Sequence, residues 1–266
     1  MTAPSFGLEG AVVLVTGGVR GVGAGITRAF LRLGATVVCC ARNEPEVPVH
    51  AAGRNAEFFP CDVRDDASVE VLMRGLVDRH GTIDVVVNNA GGAPFALAAD
   101  ASPRFHEKVV SLNLLAPLSV SQHANAYMQK QENGGSIVNI CSVSGTRPSP
   151  GTAAYGAAKA GLENLTRSLA VEWAPKVRVN AVRVGMVHTE LSALHYGNEN
   201  GIAAVGATVP LGRLAAPEEI GMSAAFLASP LASYVTGAAL EVHGGGERPA
   251  FLAAATANNT HHGGDQ

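Results

Sequence analysis

Short apolar runs alternate with longer helix-like stretches along almost the whole chain. Most of the runs are continuously apolar, as expected of strands that are buried on both faces of a sheet. We predict seven strands, at residues 11–15, 36–40, 57–61, 85–88, 136–140, 177–182 and 238–242. Helices are predicted in the gaps, at 22–33, 67–80, 104–131, 155–173 and 217–228. This order predicts an α/β fold in which helices connect the strands of a parallel sheet.

The length and composition fit one domain of this kind. A chain of 266 residues can bury a full core. No apolar run approaches the roughly 18 residues that a membrane helix needs. We assign residues 1–249 to a single domain and residues 250–266 to a C-terminal tail that is mobile or packs against a neighbouring subunit. His261 and His262 in that tail are expected to be solvated and not to bind a metal.

Charge and cysteine usage exclude several classes of partner. The formal net charge of −3 offers no basic surface for nucleic acid. Residues 1–10 lack the charged leader and apolar core of a secretory signal, so we expect a cytoplasmic protein with no membrane partner. The four cysteines lack the paired spacing of metal sites and are expected to be buried free thiols, with no bound metal: Cys39, Cys40, Cys61 and Cys141.

A glycine-rich turn precedes the first predicted helix. Its glycines stand at positions 17, 21 and 23, directly after the first predicted strand. Glycine lets the backbone turn sharply and approach a pyrophosphate closely, while the helix N-terminus supplies amide donors and a partial positive charge. The context predicts a cradle for a dinucleotide, although a glycine-rich turn alone is also compatible with a plain tight turn.

A tyrosine and a lysine stand four residues apart in a predicted helix. Tyr155 and Lys159 therefore share one helix face, where the ammonium is expected to lower the tyrosine pKa from about 10. A tyrosine with a lowered pKa can exchange a proton with a carbonyl or alcohol oxygen near neutral pH. The spacing alone also occurs on ordinary solvated helices. Combined with Ser142, thirteen residues upstream of Tyr155, and with the glycine turn, it indicates a nicotinamide-dependent oxidoreductase.

Given these residues, the chain resembles the short-chain dehydrogenase/reductase family from about residue 7 to residue 246. The resemblance rests on motifs spread along the domain: Thr16-Gly17-x-x-x-Gly21-x-Gly23, Asp62-Val63, Asn88-Asn89-Ala90-Gly91, Asn113, Ser142, Tyr155-x-x-x-Lys159, Asn180-Ala181-Val182 and Gly185-x-x-x-Thr189. It implies a single-domain, Rossmann-like, doubly wound parallel sheet and hydride transfer between NAD(P) and a carbonyl/alcohol pair. It also implies a homodimer or homotetramer assembled through the helices at 104–131 and 155–173.

The resemblance assigns roles to four catalytic residues. Tyr155 would be the general acid for reduction and the base for oxidation, and Ser142 would hold the substrate oxygen, with Ser144 as a nearby competitor. Lys159 would lower the pKa of Tyr155 and bind the nicotinamide ribose. Asn113 would orient a water that links Lys159 to solvent; by spacing alone, it is as readily a polar bond that caps a break in the long helix.

The resemblance also assigns the cofactor site. Asp62 would accept from the adenine amino group beside the Val63 amide, although it also fits an exposed aspartate at a strand end. The segment after the fourth strand would pass beneath the adenosine side, and it equally fits an Asx turn. The remaining expected cofactor contacts are Gly17, Gly21, Val22, Gly23, Asn89, Ala90, Gly91, Tyr155, Lys159, Gly185, Val187 and Thr189. The proline that the family commonly has before the last glycine motif is missing, which predicts a looser turn at Arg183-Val184-Gly185.

The second predicted strand ends in Cys39-Cys40-Ala41-Arg42, without the acidic residue that normally binds the 2′-hydroxyl of NAD. Arg42 and Arg20 are instead suited to a 2′-phosphate, which favours NADP. NAD stays an alternative, because Glu44 lies two residues further on and Arg42 can also stack on adenine.

Residues 186–214 are predicted to form a mobile substrate lid of mixed character, with Pro94, Phe95, Val143 and Met186 as further wall residues. We expect hydride transfer between NADP(H) and a secondary alcohol or ketone of an apolar or amphipathic substrate. One alternative is reduction of a 3-oxoacyl thioester on acyl carrier protein or coenzyme A, for which Arg104, Lys108 and Lys130 would be the basic residues near the mouth. An alternative of another class is a non-catalytic redox sensor that binds the dinucleotide.

Overall fold

A computed structural model describes residues 5–255 of the chain. In chain order, its strands are β1 (Val12–Thr16), β2 (Thr36–Ala41), β3 (His50–Ala51), β4 (Arg54–Asn55), β5 (Glu57–Pro60), β6 (Val85–Asn88), β7 (Gly135–Ser142), β8 (Val177–Val184) and β9 (Ala239–Val242). Seven of them form a parallel sheet in the order β5-β2-β1-β6-β7-β8-β9, and β3 pairs with β4 in a separate hairpin. This confirms the predicted seven-stranded sheet.

Helices cover both faces of the sheet. They are α1 (Gly21–Arg32), α2 (Asp66–His80), α3 (Pro103–Val110), α4 (Ala116–Met128), α5 (Ala153–Trp173), α6 (Ser192–Tyr196), α7 (Glu199–Thr208), α8 (Pro217–Ala228) and α9 (Ala250–Ala254). One core cluster contains residues of α1 and α8, and a second contains residues of α2, α4 and α5. Beyond α9, residues 256–266 lie outside the described part of the chain, and so do His261 and His262.

The continuously apolar strands are buried on both faces, as predicted. In β1, Val13 and Val15 belong to the core cluster of α1 and α8, while Leu14 belongs to that of α2, α4 and α5. Successive side chains of a strand point to opposite faces, so both faces need apolar residues. The four cysteines are all free and buried. Within residues 5–255, no helix combines the length and the apolar character needed to cross a bilayer.

The long helix predicted at 104–131 is interrupted. Between α3 and α4, residues Ser111–Leu115 form one turn of π-helix. Pro117 has no N–H to donate to the carbonyl four residues earlier, which belongs to Asn113, and so the regular α-helical bonding cannot continue there. The Asn113 side chain, fully buried, donates to the Val109 carbonyl at 2.9 Å inside this break.

Candidate active site

The predicted site residues gather at one edge of the sheet, where the parallel strands end. The chain leaves β1 for β2 and β5 on one side and returns to β6 on the other, so the strand order reverses between β1 and β6. A crevice at such a reversal is where open α/β sheets bind ligands. Here the Thr16 hydroxyl accepts from the amides of Asn89 and Ala90, each at 3.0 Å, and ties the two strand ends together.

The glycine turn lies against this crevice in a conformation that needs its glycines. Gly17 and Gly21 have φ values of 63° and 53°, a region that disfavours other residues. A Cβ at Gly23 would collide with the Gly17 carbonyl oxygen. The side-chain amide of Asn89 donates to the Thr16 and Gly17 carbonyls at 3.0 and 3.2 Å, which fixes the turn to the end of β6.

A lid carboxylate lies at the N-terminus of α1. Glu190 Oε1 accepts from the Gly21 amide at 2.8 Å, and α1 has no side-chain cap from Arg20 at its own N-cap position. Between the glycine turn and the lid is a cavity of about 560 Å³, whose lining includes Gly21, Glu190, Arg28 and Glu199. An anion is therefore already seated where free amides and the helix dipole favour one.

Ser142, Tyr155 and Lys159 converge at the ends of β7 and α5. Tyr155 is half-buried and lies near enough to Ser142 for the serine hydroxyl to affect its pKa. Lys159 is 3% exposed; its Nζ donates to the Ile140 carbonyl at 2.7 Å and lies 5.7 Å from the centroid of the Tyr155 ring. The Ser142 hydroxyl also accepts from the Ser144 amide at 3.2 Å. The structure thus pairs Tyr155 with Ser142.

The protonation of the pair differs from our expectation. Burial raises the pKa of Tyr155, and the nearby Ser142 side chain lowers it by a smaller amount. Burial also lowers the pKa of Lys159. The expected lowering of the Tyr155 pKa by Lys159 is therefore not seen in this structure, because burial disfavours the charged form of both groups.

Asn113 and Lys159 pack on either side of one backbone glycine. A Cβ at Gly91 would lie 2.7 Å from Asn113 Oδ1 and 3.3 Å from Lys159 Nζ. The Asn113 side chain accepts from the Gly92 amide at 2.8 Å and donates to its carbonyl at 2.9 Å. These bonds are the ones expected if Asn113 caps the break in the long helix. They also hold the backbone at residues 91–92 next to Lys159.

Comparison with known proteins agrees with this geometry. A family model described as enoyl-(acyl carrier protein) reductase matches residues 17–247. The chain belongs to the short-chain dehydrogenase/reductase family. It is therefore an NAD(P)-dependent oxidoreductase with a Rossmann-like fold.

Individual family members are similar over nearly the whole domain. A 3-oxoacyl-[acyl-carrier-protein] reductase of Vibrio cholerae is 36% identical over 241 residues, which cover 90% of this chain and 98% of the relative. The ligand-free aldohexose dehydrogenase of Thermoplasma acidophilum superposes with a TM-score of 0.84 at 31% identity, covering 90% of this chain and 94% of its own. The RhlG/NADP active-site complex of Pseudomonas aeruginosa has a TM-score of 0.82 at 30% identity, covering 92% and 99%.

Asp62, the expected adenine contact, is engaged with a neighbour. Arg64 donates to both of its carboxylate oxygens, at 2.9 and 2.6 Å, and these bonds hold the pKa of Asp62 below its usual range. Val63 beside it is buried. An adenine amino group at this position would have to share the carboxylate with Arg64.

The two arginines expected at a 2′-phosphate are both exposed. Arg42 follows the end of β2 and acts electrostatically on Asp62, while Arg20 lies in the glycine turn. Among the described residues, neither arginine forms an ion pair. Both guanidinium groups are thus open to an anionic ligand.

Val184, where family members commonly have proline, belongs to β8. It pairs with Ser142 and Val242, and the Gly185 amide donates to the Val242 carbonyl at 3.0 Å. Arg183 reinforces this end of the strand through bonds of 2.6 and 3.0 Å to the buried Glu163 of α5. The looser turn after Gly185 stays a prediction, while sheet pairing and this ion pair hold the strand end that precedes it.

The predicted lid contains α6 and α7 and begins with ordered contacts. Val187 forms a bridge with Ala215, and the Thr189 amide donates to the Ser192 hydroxyl at 2.8 Å. Glu190, which directly follows Thr189, was not among the predicted site residues. Its position in the predicted lid, next to the motif residue Thr189, was the only sign of a functional role. Its partner Gly21 lies 169 residues away in the sequence, so the contact itself could not be predicted.

Proposed function

We propose that this protein transfers a hydride between NADP(H) and a secondary alcohol or ketone of an apolar or amphipathic substrate. The observation that carries the proposal is the convergence of Tyr155, Ser142 and the buried Lys159 beside the glycine turn. A hydroxyl pair can hold and protonate a carbonyl oxygen, and a buried cation beside it can stabilise developing negative charge. The proposed catalytic residues are Tyr155, Ser142, Lys159 and Asn113.

The residues of the glycine turn fit a dinucleotide. A Cβ at Gly23 would collide with the Gly17 carbonyl oxygen, so the tight turn needs glycine there. The Gly21 amide donates to an anionic partner, as its bond to Glu190 illustrates. The dinucleotide, when bound, supplies or accepts the hydride. Lys159 would hold its ribose, and Val187 and Thr189 its carboxamide.

Burial raises the pKa of Tyr155 in this structure. A phenol whose pKa is raised stays protonated at neutral pH and can donate its proton to a carbonyl oxygen. The Ser142 hydroxyl near Tyr155 would orient that oxygen. Oxidation of an alcohol would require the same phenol to ionise first.

NADP is the cofactor that the residues favour. β2 ends in Ala41 with no carboxylate, and the exposed Arg20 and Arg42 have no ion-pair partner among residues 5–255. The structural relative RhlG was obtained with NADP, which supports the same cofactor class. NAD stays the alternative, through Glu44.

Reduction of a 3-oxoacyl thioester is the second candidate, favoured by the likeness to the Vibrio cholerae reductase. The basic residues expected for a carrier protein support it only weakly. Lys130 lies just before β7 begins, at the opposite end of that strand from Ser142. Lys108 lines a cavity of about 360 Å³ beside Asp62 and Arg64, on the expected adenosine side. Of the three expected basic residues, this leaves Arg104, in the first turn of α3, to bind an acidic carrier protein.

Turnover assays separate the candidates. NADPH consumption is measured with a panel of apolar and amphipathic ketones, with acetoacetyl coenzyme A and with an acyl-carrier-protein thioester. The proposal expects turnover of free ketones. Turnover of thioesters alone would favour the second candidate, and tight NADPH binding without turnover of any carbonyl would favour a redox sensor.

A further inference from the structure

An arginine and a glutamate from two separate segments meet near the proposed catalytic residues. Arg147 Nη2 lies 2.6 Å from Glu247 Oε1, and its Nη1 donates to the Pro148 carbonyl at 3.2 Å. Burial raises the pKa of Tyr196 in the lid, and the charges of Arg147 and Glu247 act on it in opposite directions. Arg147 and Glu247 are therefore in direct contact.

Arg147 belongs to the loop that leads from Ser142 to Tyr155, and it is the only charged residue between positions 142 and 155. The loop packs on the first turn of α5, because a Cβ at Gly156 would lie 2.6 Å from the Ser144 carbonyl oxygen. Its other end, at Gly151, contacts the ring of Phe95, which is 71% exposed. The loop thus presents one cation and an aromatic wall close to the proposed catalytic residues.

Glu247 lies in a segment that is bonded to the lid. This segment follows β9 through Gly244, Gly245 and Gly246, with φ values of 65°, 96° and 83°. The Leu211 amide donates to the Gly244 carbonyl at 3.1 Å, and the Arg248 amide donates to the Thr208 carbonyl at 3.2 Å. A displacement of the lid would therefore carry Glu247 away from Arg147.

The ion pair is one that a ligand can replace. The side chains of Arg147 and Glu247 are 41% and 39% exposed, and exposed pairs contribute little to stability. The planar guanidinium has five N–H donors and binds carboxylates with two parallel bonds, so it has capacity beyond its bond to Glu247. In the lid itself, Glu190 likewise occupies the Gly21 amide, a group that the proposed function reserves for an anion.

We propose that Arg147 recognises a carboxylate at the far end of the substrate, which takes the place of Glu247. The substrate class is then an oxo acid or hydroxy acid whose apolar chain runs past Phe95 between the reacting oxygen and the carboxylate. This inference rests on the proposed function, whose substrate it narrows from amphipathic to anionic.

The test compares straight-chain oxo acids, in which the number of methylene groups between the ketone and the carboxylate increases, with their methyl esters. Their binding to the complex of the full-length protein with NADP⁺ is measured by calorimetry, in which no turnover occurs. The wild-type protein should bind the best acid about tenfold more tightly than its ester, as expected of one charge-assisted contact. Arg147→Gln should remove this difference and leave the affinity for the ester unchanged.

Glu247→Gln distinguishes recognition of the substrate carboxylate by Arg147 from a purely structural role of the Arg147–Glu247 pair. Removal of the competing carboxylate should strengthen acid binding a few-fold, opposite in direction to Arg147→Gln. If the pair only fastens the lid, both variants would change the affinities for acid and ester in the same direction. The matched control is Arg79→Gln, which breaks the exposed Arg79–Glu57 pair on the far edge of the sheet and should change neither affinity.

Two further results would overturn the inference: equal wild-type affinity for acid and ester, or discrimination by Arg147 only for acetoacetyl coenzyme A, which would assign the residue to a phosphate. NADPH consumption with the same compounds tests the proposed function separately. Binding that depends on Arg147 without any turnover would refute the proposed reaction and leave the anion site standing.

Discussion

Glu190 of the lid accepts a hydrogen bond of 2.8 Å from the amide of Gly21, the first residue of α1. The resemblance expects the pyrophosphate of the cofactor at this glycine turn. A carboxylate and a phosphate compete for the same amides and the same end of the helix dipole. We therefore expect cofactor binding and lid position to be linked through Glu190.

Glu190→Gln should bind the dinucleotide a few-fold more tightly, because the competing negative charge is gone while the side-chain shape is kept. The loss of a carboxylate at a helix N-terminus should cost about 0.3–1 kcal/mol of stability. Fluorescence titration with NADPH and thermal unfolding measure the two effects. Glu199→Gln, in the same cavity but further along the lid, is the control. Weaker NADPH binding by Glu190→Gln would mean that Glu190 helps to hold the cofactor.

Replacing both Arg20 and Arg42 with alanine should abolish the preference for NADPH over NADH. Each charge-assisted hydrogen bond contributes roughly 1.5–3 kcal/mol, so the expected loss of NADPH affinity is about ten- to a hundredfold or more. Parallel titrations with NADPH and NADH give the ratio, and NADH affinity should hardly change. Tighter binding of NADH than of NADPH by the wild-type protein would contradict the 2′-phosphate site and favour the alternative in which Glu44 binds NAD.

Lys159→Met should make the protein more stable at neutral pH while it loses activity. Burial lowers the folded-state pKa of Lys159 below its unfolded value, so protonated lysine destabilises the fold at low and neutral pH. As pH rises through the folded pKa towards the unfolded value of about 10.4, the wild-type protein regains this stability.

The gap in unfolding free energy between Lys159→Met and wild type should therefore narrow as pH rises. Denaturant unfolding at a series of pH values measures it. A gap that does not change with pH would contradict a buried, destabilised ammonium.

The sequence predicted the sheet well because burial on both faces leaves a strong local signal, as in the Val12–Thr16 strand. It predicted the glycine turn and Tyr155-x-x-x-Lys159 for a similar reason, since their residues are close in the chain. The pairs formed by Glu190 with Gly21 and by Arg147 with Glu247 join residues 169 and 100 positions apart. No local pattern identifies such partners.

Protonation was the other property that the sequence could not predict. The i, i+4 spacing places Lys159 near Tyr155, but the depth of burial decides which charges the pair can carry. The structure shows Lys159 only 3% exposed, and burial shifts both pKa values against the charged forms. Helix spacing contains no information about that depth.

Tyr155 is expected to transfer the proton that accompanies hydride transfer. Tyr155→Phe keeps the ring and its packing and removes only the hydroxyl near Ser142. Steady-state NADPH consumption with the best ketone, together with NADPH titration of the same variant, tests this role of Tyr155. We predict unchanged NADPH affinity and a fall in kcat of about 10²–10⁴-fold. Turnover at the wild-type rate would remove Tyr155 from the mechanism.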